Sequence, residues 1–485
     1  MMHFTQYYLD CLSQASYLIG DTDSGQAVVV DPRRDVEEYL ADAKAAGLSI
    51  VGVLNTHFHA DFVSGHLELA KATGAWIGYG RAASADFEIR KFGDGDRVSL
   101  GDVTLEIMET PGHTPESISV LVYEHAADDV AYAVLTGDAL FIGDVGRPDL
   151  LASVGVTQEE LGRQLYDSIQ HKLMGLPDPV RVFPAHGAGS ACGKNLSTER
   201  QSTIGAQRSE NYACQPMSEE DFLAVVTEGQ PSAPAYFIYN ATLNKQQRDV
   251  RELQFEVAAM SDAEVTAALD RGAVLLDARS PMDFAAGHVA GAINVGAEGR
   301  LAETVGMVVS PEQEVVVMAP EGLEQEVAVR LGRIGFDKVL GYVPNAQAFL
   351  IANPDRSEPS SRLTPAQLQS ALAGGVPDVQ VVDIRNKGEL STGMVDGARH
   401  IPLAELTRRA DELDPSRPVV LYCAGGWRSS VGASLLRHRG FADVSDVLGG
   451  YSAIDPAQVC AVTAAAAKAA AEDDAARQAG ASVNA

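Results

Sequence analysis

The sequence has few cysteines, few positive charges and no long apolar segment. Its five cysteines are odd in number and widely scattered, so they provide neither a disulfide framework nor the ligand spacing of a zinc ribbon. Lys and Arg number 37 against 66 Asp and Glu, which gives a net charge of −29. Such a charge argues against binding to nucleic acid or to an anionic membrane surface. It also means that an anionic substrate needs a local Arg or Lys.

Neither a membrane span nor a secretory signal is expected. No apolar run reaches bilayer length, and the N-terminal segment MMHFTQYYLDCLSQ has no basic stretch followed by an apolar core. The 485 residues predict two to four domains, and 46% hydrophobic residues suffice for ordinary globular cores. We therefore expect a soluble, cytoplasmic, multidomain protein.

Residues 1–250 alternate short β-branched runs with helical stretches, as in AVVVDP, IVGVLNTH, VAYAVLTGD and VRVFPAHG. This alternation is typical of a layered α/β or α+β domain. Near the end of this segment, MSEEDFLAVVTEG contains a Ser that is followed directly by Glu residues, which predicts a helix capped by that Ser.

The rest of the chain repeats itself. LLDARSPMDFAAGHVAGAINV (275–295) matches VVDIRNKGELSTGMVDGARHI (381–401) at an offset of 106, and VVVMAPEGLE (315–324) matches VVLYCAGGWR (419–428) at an offset of 104. So long a period indicates two tandem domains, 262–352 and 361–460, rather than a solenoid. The linker NPDRSEPSSRLTP (353–365) is rich in Pro and Ser. The Ala-rich tail 461–485 is predicted to be a fraying helix without function.

Four strand or turn ends in the first segment finish in side chains that can bind a metal. They are His57, His59 and Asp61 in HFHADF, His113 in TPGHTP, Asp138 in LTGDALF and His186 in FPAHGAG. Each alone has an ordinary explanation, as a hydrogen-bonded surface His or the Asp of a turn. Their joint occurrence favours a metal site at the rim of a sheet, but the spacing alone does not decide which of them bind the metal.

The motifs THFHAD, PGHT, TGDAL and PAHG, in this order, resemble those of the metallo-β-lactamase superfamily. The resemblance covers roughly 1–250 and implies a four-layer αββα sandwich. Dinuclear hydrolases of that superfamily carry H-x-H-x-D-H, and here Phe62 stands in place of the last His. Because a phenyl ring cannot bind a metal, the second metal position loses a ligand and a two-zinc hydrolase is disfavoured.

GDALFIGDVGRPDL, PAHGAGSACGKN and STERQSTIGAQR are similar to the persulfide dioxygenases of this superfamily. That resemblance implies one Fe(II) per chain, held by two His and one carboxylate. The ligands carried over by motif position are His57, His113 and Asp138. The groups left to orient them or to hold water are His59, Asp61 and His186. Two imidazoles and a carboxylate leave positions open for O₂ and a sulfur anion.

Two further residues of this segment are candidates for roles beside the metal. Arg147 in GDVGRPD can meet an anion in bidentate fashion, so it is our candidate for binding the substrate. The alternative is an ion pair with Asp144 or Asp149. Cys192 in GAGSACGK can carry sulfur near the iron, but we interpret it as an ordinary loop thiol.

The two repeats resemble the rhodanese (sulfurtransferase) domain, whose active-site loop C-x-x-G-x-R is matched by CAGGWR. Cys423 lies between an apolar strand and a helix, where backbone N–H groups and Arg428 stabilise a persulfide anion. Gly425 and Gly426 allow the backbone to turn tightly around the sulfur. The phosphatase loop is one residue longer, so the spacing favours sulfane sulfur over phosphate.

The middle copy lacks this chemistry. Ala319 aligns with Cys423, and Glu324 aligns with Arg428, giving APEGLE in place of CAGGWR. Without a nucleophile and with the charge inverted, this copy cannot hold a persulfide anion. We therefore predict an inactive rhodanese-like domain followed by an active one.

The fold expected is thus an αββα sandwich followed by two rhodanese-like α/β domains. The resemblance implies oxidation of a low-molecular-weight persulfide, of glutathione or a similar thiol, by O₂ to sulfite and thiol. Cys423 then forms or uses thiosulfate, in sulfide detoxification, and the protein is a homo-oligomer. A glyoxalase II-like thioester hydrolase and a non-oxidative sulfur carrier are the alternatives. Two equivalents of bound metal would favour the first, and loss of His113 or Asp138 would have indicated the second.

Overall fold

The computed structural model describes residues 1–150, 156–230, 232–253 and 255–455, together with the backbone of 459–460. The Ala-rich tail predicted over 461–485 lies outside the described residues. The chain forms two compact units. The first contains Met1–Ala258, Glu298–Gln313 and Leu323–Leu340, and the second contains Ala259–Ala297, Glu314–Gly322 and the chain from 341 onward. No helix in the described part of the chain has both the length and the apolar character needed to cross a bilayer.

The strands and helices are numbered along the chain. The strands are β1 (Met2–Leu9), β2 (Gln14–Asp21), β3 (Gln26–Val30), β4 (Ser49–Leu54), β5 (Trp76–Gly80), β6 (Arg90–Phe92), β7 (Arg97–Ser99), β8 (Thr104–Glu109), β9 (Ile118–Tyr123), β10 (Ala133–Gly137), β11 (Arg181–Pro184), β12 (Ser202–Thr203), β13 (Val274–Asp277), β14 (His288–Val289), β15 (Ile293–Asn294), β16 (Val315–Met318), β17 (Val339–Tyr342), β18 (Ser357–Glu358), β19 (Ser361–Leu363), β20 (Gln380–Asp383), β21 (Met394–Val395), β22 (Arg399–His400), β23 (Val419–Tyr422), β24 (Val444–Val447) and β25 (Val459–Cys460). The helices are α1 (Glu37–Ala45), α2 (His66–Thr73), α3 (Gln158–Asp167), α4 (Ile204–Glu210), α5 (Glu219–Thr227), α6 (Tyr236–Leu243), α7 (Asp262–Asp270), α8 (Pro281–Ala286), α9 (Leu301–Val308), α10 (Glu324–Arg333), α11 (Ala346–Ala352), α12 (Pro365–Ser370), α13 (Leu403–Arg409) and α14 (Trp427–His438).

The first unit contains two six-stranded sheets, with strand orders β1-β2-β3-β4-β5-β6 and β12-β11-β10-β9-β8-β7. Alternate side chains of both sheets share one buried core, which includes Tyr17, Val28, Leu54, Leu105, Val120 and Leu135. The opposite faces pack against helices, α1 on one sheet and α3 to α5 on the other. The predicted four-layer αββα sandwich is therefore confirmed.

The capped helix predicted from MSEEDFLAVVTEG is α5. The side chain of Ser218 accepts a hydrogen bond from the backbone N–H of Asp221, and Glu219 and Glu220 lie in the first turn. Acidic side chains there interact favourably with the positive end of the helix dipole.

The two sequence repeats fold alike. The sheet of the middle copy has the order β15-β13-β16-β17, and that of the last copy has the order β19-β24-β23-β20-β22. In the middle copy β13 pairs with β16 in parallel, Val274 opposite Val315, and in the last copy β20 pairs with β23, Gln380 opposite Val419. These partners differ by the same offsets that relate the two sequences, so the repeat is structural as well as sequential.

Each copy holds an Asp–Arg pair with a buried carboxylate at the start of its first motif. The Nη2 of Arg279 donates to Asp277 at 2.5 Å and to the Gly287 carbonyl at 2.9 Å. In the last copy the Nη2 of Arg385 donates to Asp383 at 2.7 Å and to the carbonyl eight residues on, at 2.6 Å. The shared D-x-R…G pattern thus fixes the turn after the first strand through charge-assisted hydrogen bonds.

Helices α9 and α10, which the repeat assigns to the middle copy, belong to the first compact unit. The backbone N–H of Val63 donates to the carbonyl of Arg333 at the end of α10, at 2.7 Å. The Arg333 guanidinium holds Asp35 in bidentate fashion at 2.8 and 2.7 Å. The predicted domain boundary, between residues 250 and 262, follows the sequence repeat. The compact units of the structure instead place these two helices with the sandwich.

Replacing Arg333 by Ala is expected to lower the free energy of unfolding of the first unit by about 1–3 kcal/mol, because a largely buried carboxylate loses its bidentate partner. Denaturant titration of the full chain, followed by tryptophan fluorescence, measures this loss. The control is Arg271→Ala, because that guanidinium bonds to the Ala267 carbonyl of its own helix. Equal stability of the two variants would contradict a role of the Asp35 pair in joining α10 to the sandwich.

His66, at the start of α2, is a buried imidazole. It is 0% exposed, and neither ring nitrogen has a hydrogen-bond partner among the described residues. Its ring stacks on Phe87 with 5.0 Å between centroids. Burial, together with the charges of Arg248 and His59, lowers the pKa of His66 well below its ordinary value of 6.5.

His66 makes the fold sensitive to acid. The folded state keeps the imidazole neutral while the unfolded chain binds a proton below pH 6.5, so stability is present above that pH and falls as the pH drops. We expect a loss of up to about 1.4 kcal/mol per pH unit from this residue alone. His66→Phe should reduce the slope of unfolding free energy against pH between neutrality and about pH 5. An unchanged slope would show that His66 does not contribute to it.

Candidate metal centre and sulfur-transfer loop

Three predicted ligands meet at one edge of the sandwich. His57 follows β4, His113 lies in the turn between β8 and β9, and Asp138 follows β10. The Oδ2 of Asp138 lies 3.8 Å from the Nε2 of His57 and 3.5 Å from the Nε2 of His113. All three side chains are buried. Neither the Nε2 of His57 nor the Oδ2 of Asp138 has a hydrogen-bond partner among the described residues, so a metal ion fits this group.

The hydrogen bonds behind the two imidazoles aim their Nε2 lone pairs at the same point. The hydroxyl of Thr56 donates to Asp31 at 2.9 Å, so its oxygen accepts from the Nδ1–H of His57 at 3.0 Å. The Nδ1–H of His113 donates to the backbone carbonyl of Arg147 at 2.9 Å. Burial and the neighbouring His59 lower the pKa of His57 well below its ordinary value. His57 is thus set as a neutral donor toward a metal, and the hydrogen bond to the Arg147 carbonyl orients the ring of His113.

His186 lies between two carboxylates rather than in the ligand group. Its Nδ1 is 2.7 Å from the Oδ1 of Asp138, and its Nε2 is 2.7 Å from the Oδ2 of Asp61. Burial opposes the charged ring, but Asp138 and Asp61 together raise the pKa of His186 well above its ordinary value. These contacts are those of a group that orients Asp138.

His59 is not one of the three grouped ligands: its Nε2 lies 2.9 Å from the Oδ1 of Asp31, and its ring centroid lies 4.2 Å from that of His57. The ring of Phe62 lies 4.3 Å from the ring of His59 and is 1% exposed. The position of a further metal-binding His is therefore filled by packed carbon. Asp31 itself was not singled out by the sequence analysis, although it ends a β-branched strand as Asp138 does.

Arg147 pairs with Asp149. Its Nε and Nη2 donate to the two carboxylate oxygens at 2.7 and 2.6 Å, and its Nη1 donates to the Ala191 carbonyl at 3.2 Å. The guanidinium is buried. The structure thus contains the ion pair that was the alternative, and substrate binding by Arg147 stays a prediction.

Cys192 joins a second group of potential metal ligands. Its Sγ and ligand atoms of Asp61 and His186 all lie within 4.8 Å of one another. Burial, followed by the charges of Asp138 and Asp61, raises the pKa of the thiol well above its ordinary value. Cys192 is therefore a neutral thiol at physiological pH.

The predicted sulfur-transfer loop runs from β23 to α14. The backbone N–H of Gly426 donates to the Sγ of Cys423 at 3.1 Å, and this sulfur lies 3.7 Å from the hydroxyl oxygen of Ser429. Cys423 is 1% exposed. The sulfur therefore lies at the start of α14, where a backbone N–H points at it.

Only one of the two predicted loop glycines shows the expected constraint. Gly426 has a φ of +91°, and a Cβ there would lie 3.0 Å from the backbone nitrogen of Gly449. At Gly425 the structure shows neither a positive φ nor a close neighbour, so the reason given for it is wrong. Gly450 was not predicted, yet a Cβ there would lie 2.3 Å from the carbonyl oxygen of Cys423.

Arg428 is bound by a carboxylate of its own domain. Its Nη1 and Nη2 donate to the two oxygens of Glu389, both at 2.7 Å. Substrate binding by Arg428 therefore stays a prediction. In the middle copy, Ala319 follows β16 as Cys423 follows β23, so no sulfur nucleophile stands at this position.

Known proteins match the chain in the same two parts. The metallo-beta-lactamase superfamily matches residues 9–186, and the rhodanese-like domain matches residues 261–343 and 364–456. The mitochondrial persulfide dioxygenase ETHE1 of Bos taurus is 33% identical over 175 residues, which are 35% of this chain and 63% of that protein. The chain thus spans less than two thirds of the length of this relative.

Two further relatives come from bacteria. A hydroxyacylglutathione hydrolase of Synechococcus sp. is 32% identical over 188 residues, 37% of this chain and 67% of that protein. The crystal structure of a metallo-beta-lactamase from Staphylococcus aureus subsp. aureus COL is 32% identical, with a TM-score of 0.66, and covers 71% of this chain and 99% of its own. The chain belongs to the metallo-β-lactamase superfamily, and two rhodanese-like domains follow its αββα sandwich.

Proposed function

We propose that the chain is a non-haem Fe(II) persulfide dioxygenase joined to a sulfurtransferase. The observation that carries this proposal is the buried group of two imidazole nitrogens and one carboxylate oxygen, beside which Phe62 fills the place of a further ligand. Such a set is typical of iron sites that leave positions open for O₂ and a substrate. The persulfide dioxygenase relative supports the same substrate class.

The residues that would hold the metal are His57, His113 and Asp138, with one Fe(II) per chain. When bound, the iron supplies the open positions at which O₂ and the terminal sulfur of the persulfide come together. His186 keeps the Asp138 carboxylate oriented, and Thr56 and the Arg147 carbonyl keep the two imidazoles oriented. The overall change is RSS⁻ + O₂ + H₂O → RSH + SO₃²⁻ + H⁺.

The second reaction uses the sulfite that the first one forms. Cys423 takes sulfane sulfur as a persulfide and passes it to sulfite, giving thiosulfate, and the reverse direction is equally allowed by the chemistry. The N–H of Gly426, 3.1 Å from the sulfur, stabilises the anionic persulfide. The product of one site is thus the acceptor at the other, as expected for sulfide detoxification. The thiol carrier, the homo-oligomeric state and the cytoplasmic location stay predictions.

Oxygen consumption by the Fe(II)-loaded chain, with glutathione persulfide as substrate, tests the proposal. Sulfite and thiosulfate are assayed in the same vessel, and bound iron is measured beforehand. We expect about one O₂ per persulfide, as the overall equation requires, with one iron per chain. Absence of oxygen uptake by iron-loaded protein would exclude this substrate and, across several carrier thiols, the dioxygenase itself.

Hydrolysis of a hydroxyacylglutathione is the second candidate function. The Synechococcus relative supports it, and the group of Asp61, His186 and Cys192 offers atoms for a second metal. Phe62 argues against it because it removes an imidazole from that position. Two metal equivalents per chain together with thioester cleavage would favour this alternative, and one equivalent without cleavage would exclude it.

A further inference from the structure

The Arg–Glu pair beside Cys423 neutralises the charge expected to hold an anionic substrate. Arg428 and Glu389 share two hydrogen bonds of 2.7 Å, and their side chains are 26% and 33% exposed. Burial opposes ionisation of the carboxyl, but Arg428 keeps the pKa of Glu389 below its ordinary value. The carboxylate is therefore charged at physiological pH and occupies the two donors that a bound anion would use.

Two more guanidiniums near the loop are also paired with carboxylates. Arg362 donates to the Gly426 carbonyl at 3.1 Å and to Asp446 at 2.8 Å. Arg385 donates to the carbonyl of Glu389 at 3.3 Å and to Asp383 at 2.7 Å. Arg428, Arg362 and Arg385 thus each have a carboxylate partner, and the chain as a whole has a net charge of −29.

We propose that Glu389 determines the specificity of the sulfurtransferase site, so that Cys423 is loaded by a carrier persulfide and thiosulfate is a product rather than a donor. This inference rests on the proposed function and specifies the direction of sulfur transfer at Cys423. In loading, the Cys423 thiolate attacks the outer sulfur of RSSH, the S–S bond breaks, and the thiol leaves: Cys423–S⁻ + RSSH → Cys423–S–S⁻ + RSH. In transfer, sulfite takes that sulfur: Cys423–S–S⁻ + SO₃²⁻ → Cys423–S⁻ + S₂O₃²⁻.

The two sulfur donors differ in the negative charge that they bring to Arg428. Thiosulfate is a dianion whose sulfonate needs cationic donors beside the attacking sulfur, and Glu389 competes for the donors of Arg428. A carrier persulfide presents at most one negative charge at its reacting end and depends less on that guanidinium. Weak binding of thiosulfate leaves the overall equilibrium unchanged but lets the product leave the site. Glu389 therefore acts as a specificity-determining residue that works through Arg428.

The test is Glu389→Gln in the full chain. Glu389 also accepts from the Asn386 backbone N–H at 2.9 Å as part of a capping box, and Gln serves equally well in such a box. The rate of persulfide formation on Cys423 is measured over a range of thiosulfate and, separately, of glutathione persulfide concentrations. We expect the KM for thiosulfate to fall about tenfold with kcat little changed, since one charge-assisted contact is gained. Both constants for glutathione persulfide should stay within about twofold.

Two further variants make the result specific. Asp411→Asn removes an exposed acidic charge of the same domain and should leave both donors unaffected. Adding Arg428→Gln to Glu389→Gln should cancel the gain with thiosulfate. Equal changes with both donors, or no change, would overturn the role of Glu389. Failure of the unaltered chain to load Cys423 from either donor would instead overturn the proposed sulfurtransferase.

Discussion

With His113 replaced by Ala, the chain is expected to lose its bound iron and its oxygen uptake while Cys423 continues to transfer sulfur at the wild-type rate. His113 supplies one of three ligand atoms, and its Nε2 lies 3.5 Å from the Oδ2 of Asp138. Loss of an orienting partner alone costs about 10–100-fold in metal affinity. Loss of a ligand should therefore weaken binding by more than about 100-fold.

Three measurements on one preparation check this result: iron content after gel filtration, oxygen uptake with glutathione persulfide, and sulfur transfer at Cys423. The matched control is His125→Ala, because His125 is 57% exposed and pairs with Asp102 on the surface. If both activities survive in His113→Ala, the iron assignment is wrong. If both are lost, circular dichroism and the stability of the variant decide whether the fold has failed instead.

The grouping of the potential metal ligands could be predicted from the sequence because residues at strand ends have predictable positions in a sheet. His57 follows β4 and Asp138 follows β10, and strands that end at the same edge place such residues together. The two tandem domains could also be predicted from the sequence repeat. Residues paired between β13 and β16 differ from those paired between β20 and β23 by the same offsets that relate the two sequences. Features that depend on strand ends or on sequence repetition could therefore be predicted from the sequence.

Partners of charged side chains could not be predicted in the same way. Glu389 lies 39 residues before Arg428, and nothing in hydrophobic periodicity joins them. Arg147 had several candidate partners, and its short-range pair with Asp149 could not be distinguished from a substrate contact. Asp31 was missed for the same reason. It follows a strand as Asp138 does, but its role depends on where Thr56 and His59 lie in space, which the sequence does not show.

The grouping of α9 and α10 with the sandwich has the same origin. The repeat marks them as parts of the middle copy, but their contacts with the sandwich include ion pairs, between Asp35 and Arg333 at the end of α10 and between Arg34 and Asp337 just after it. An ion pair between distant segments leaves no periodic trace in the sequence. The middle domain, which lacks a nucleophile, thus contributes two helices to the first compact unit, and its sequence motif does not show this role.

Replacing Cys423 by Ser is expected to abolish sulfur transfer, with a loss of more than about 1000-fold, because a hydroxyl cannot carry sulfane sulfur as the thiol beside the Gly426 N–H can. Oxygen uptake should remain, so sulfite should accumulate in place of thiosulfate. The control is Cys11→Ser, since Cys11 lies in the first unit beside Arg333. Continued thiosulfate formation above a protein-free blank would show that Cys423 is not the carrier.

The two variants also test how the sites are linked. An equimolar mixture of His113→Ala and Cys423→Ser contains one intact site of each kind on different chains. If sulfite leaves the metal site and reaches Cys423 through solution, this mixture should form thiosulfate at a rate that rises with protein concentration, as a bimolecular encounter requires. If the mixture forms sulfite alone while the unaltered chain forms thiosulfate, the two reactions need both sites on the same chain, and linkage within one molecule becomes the reason for the fusion.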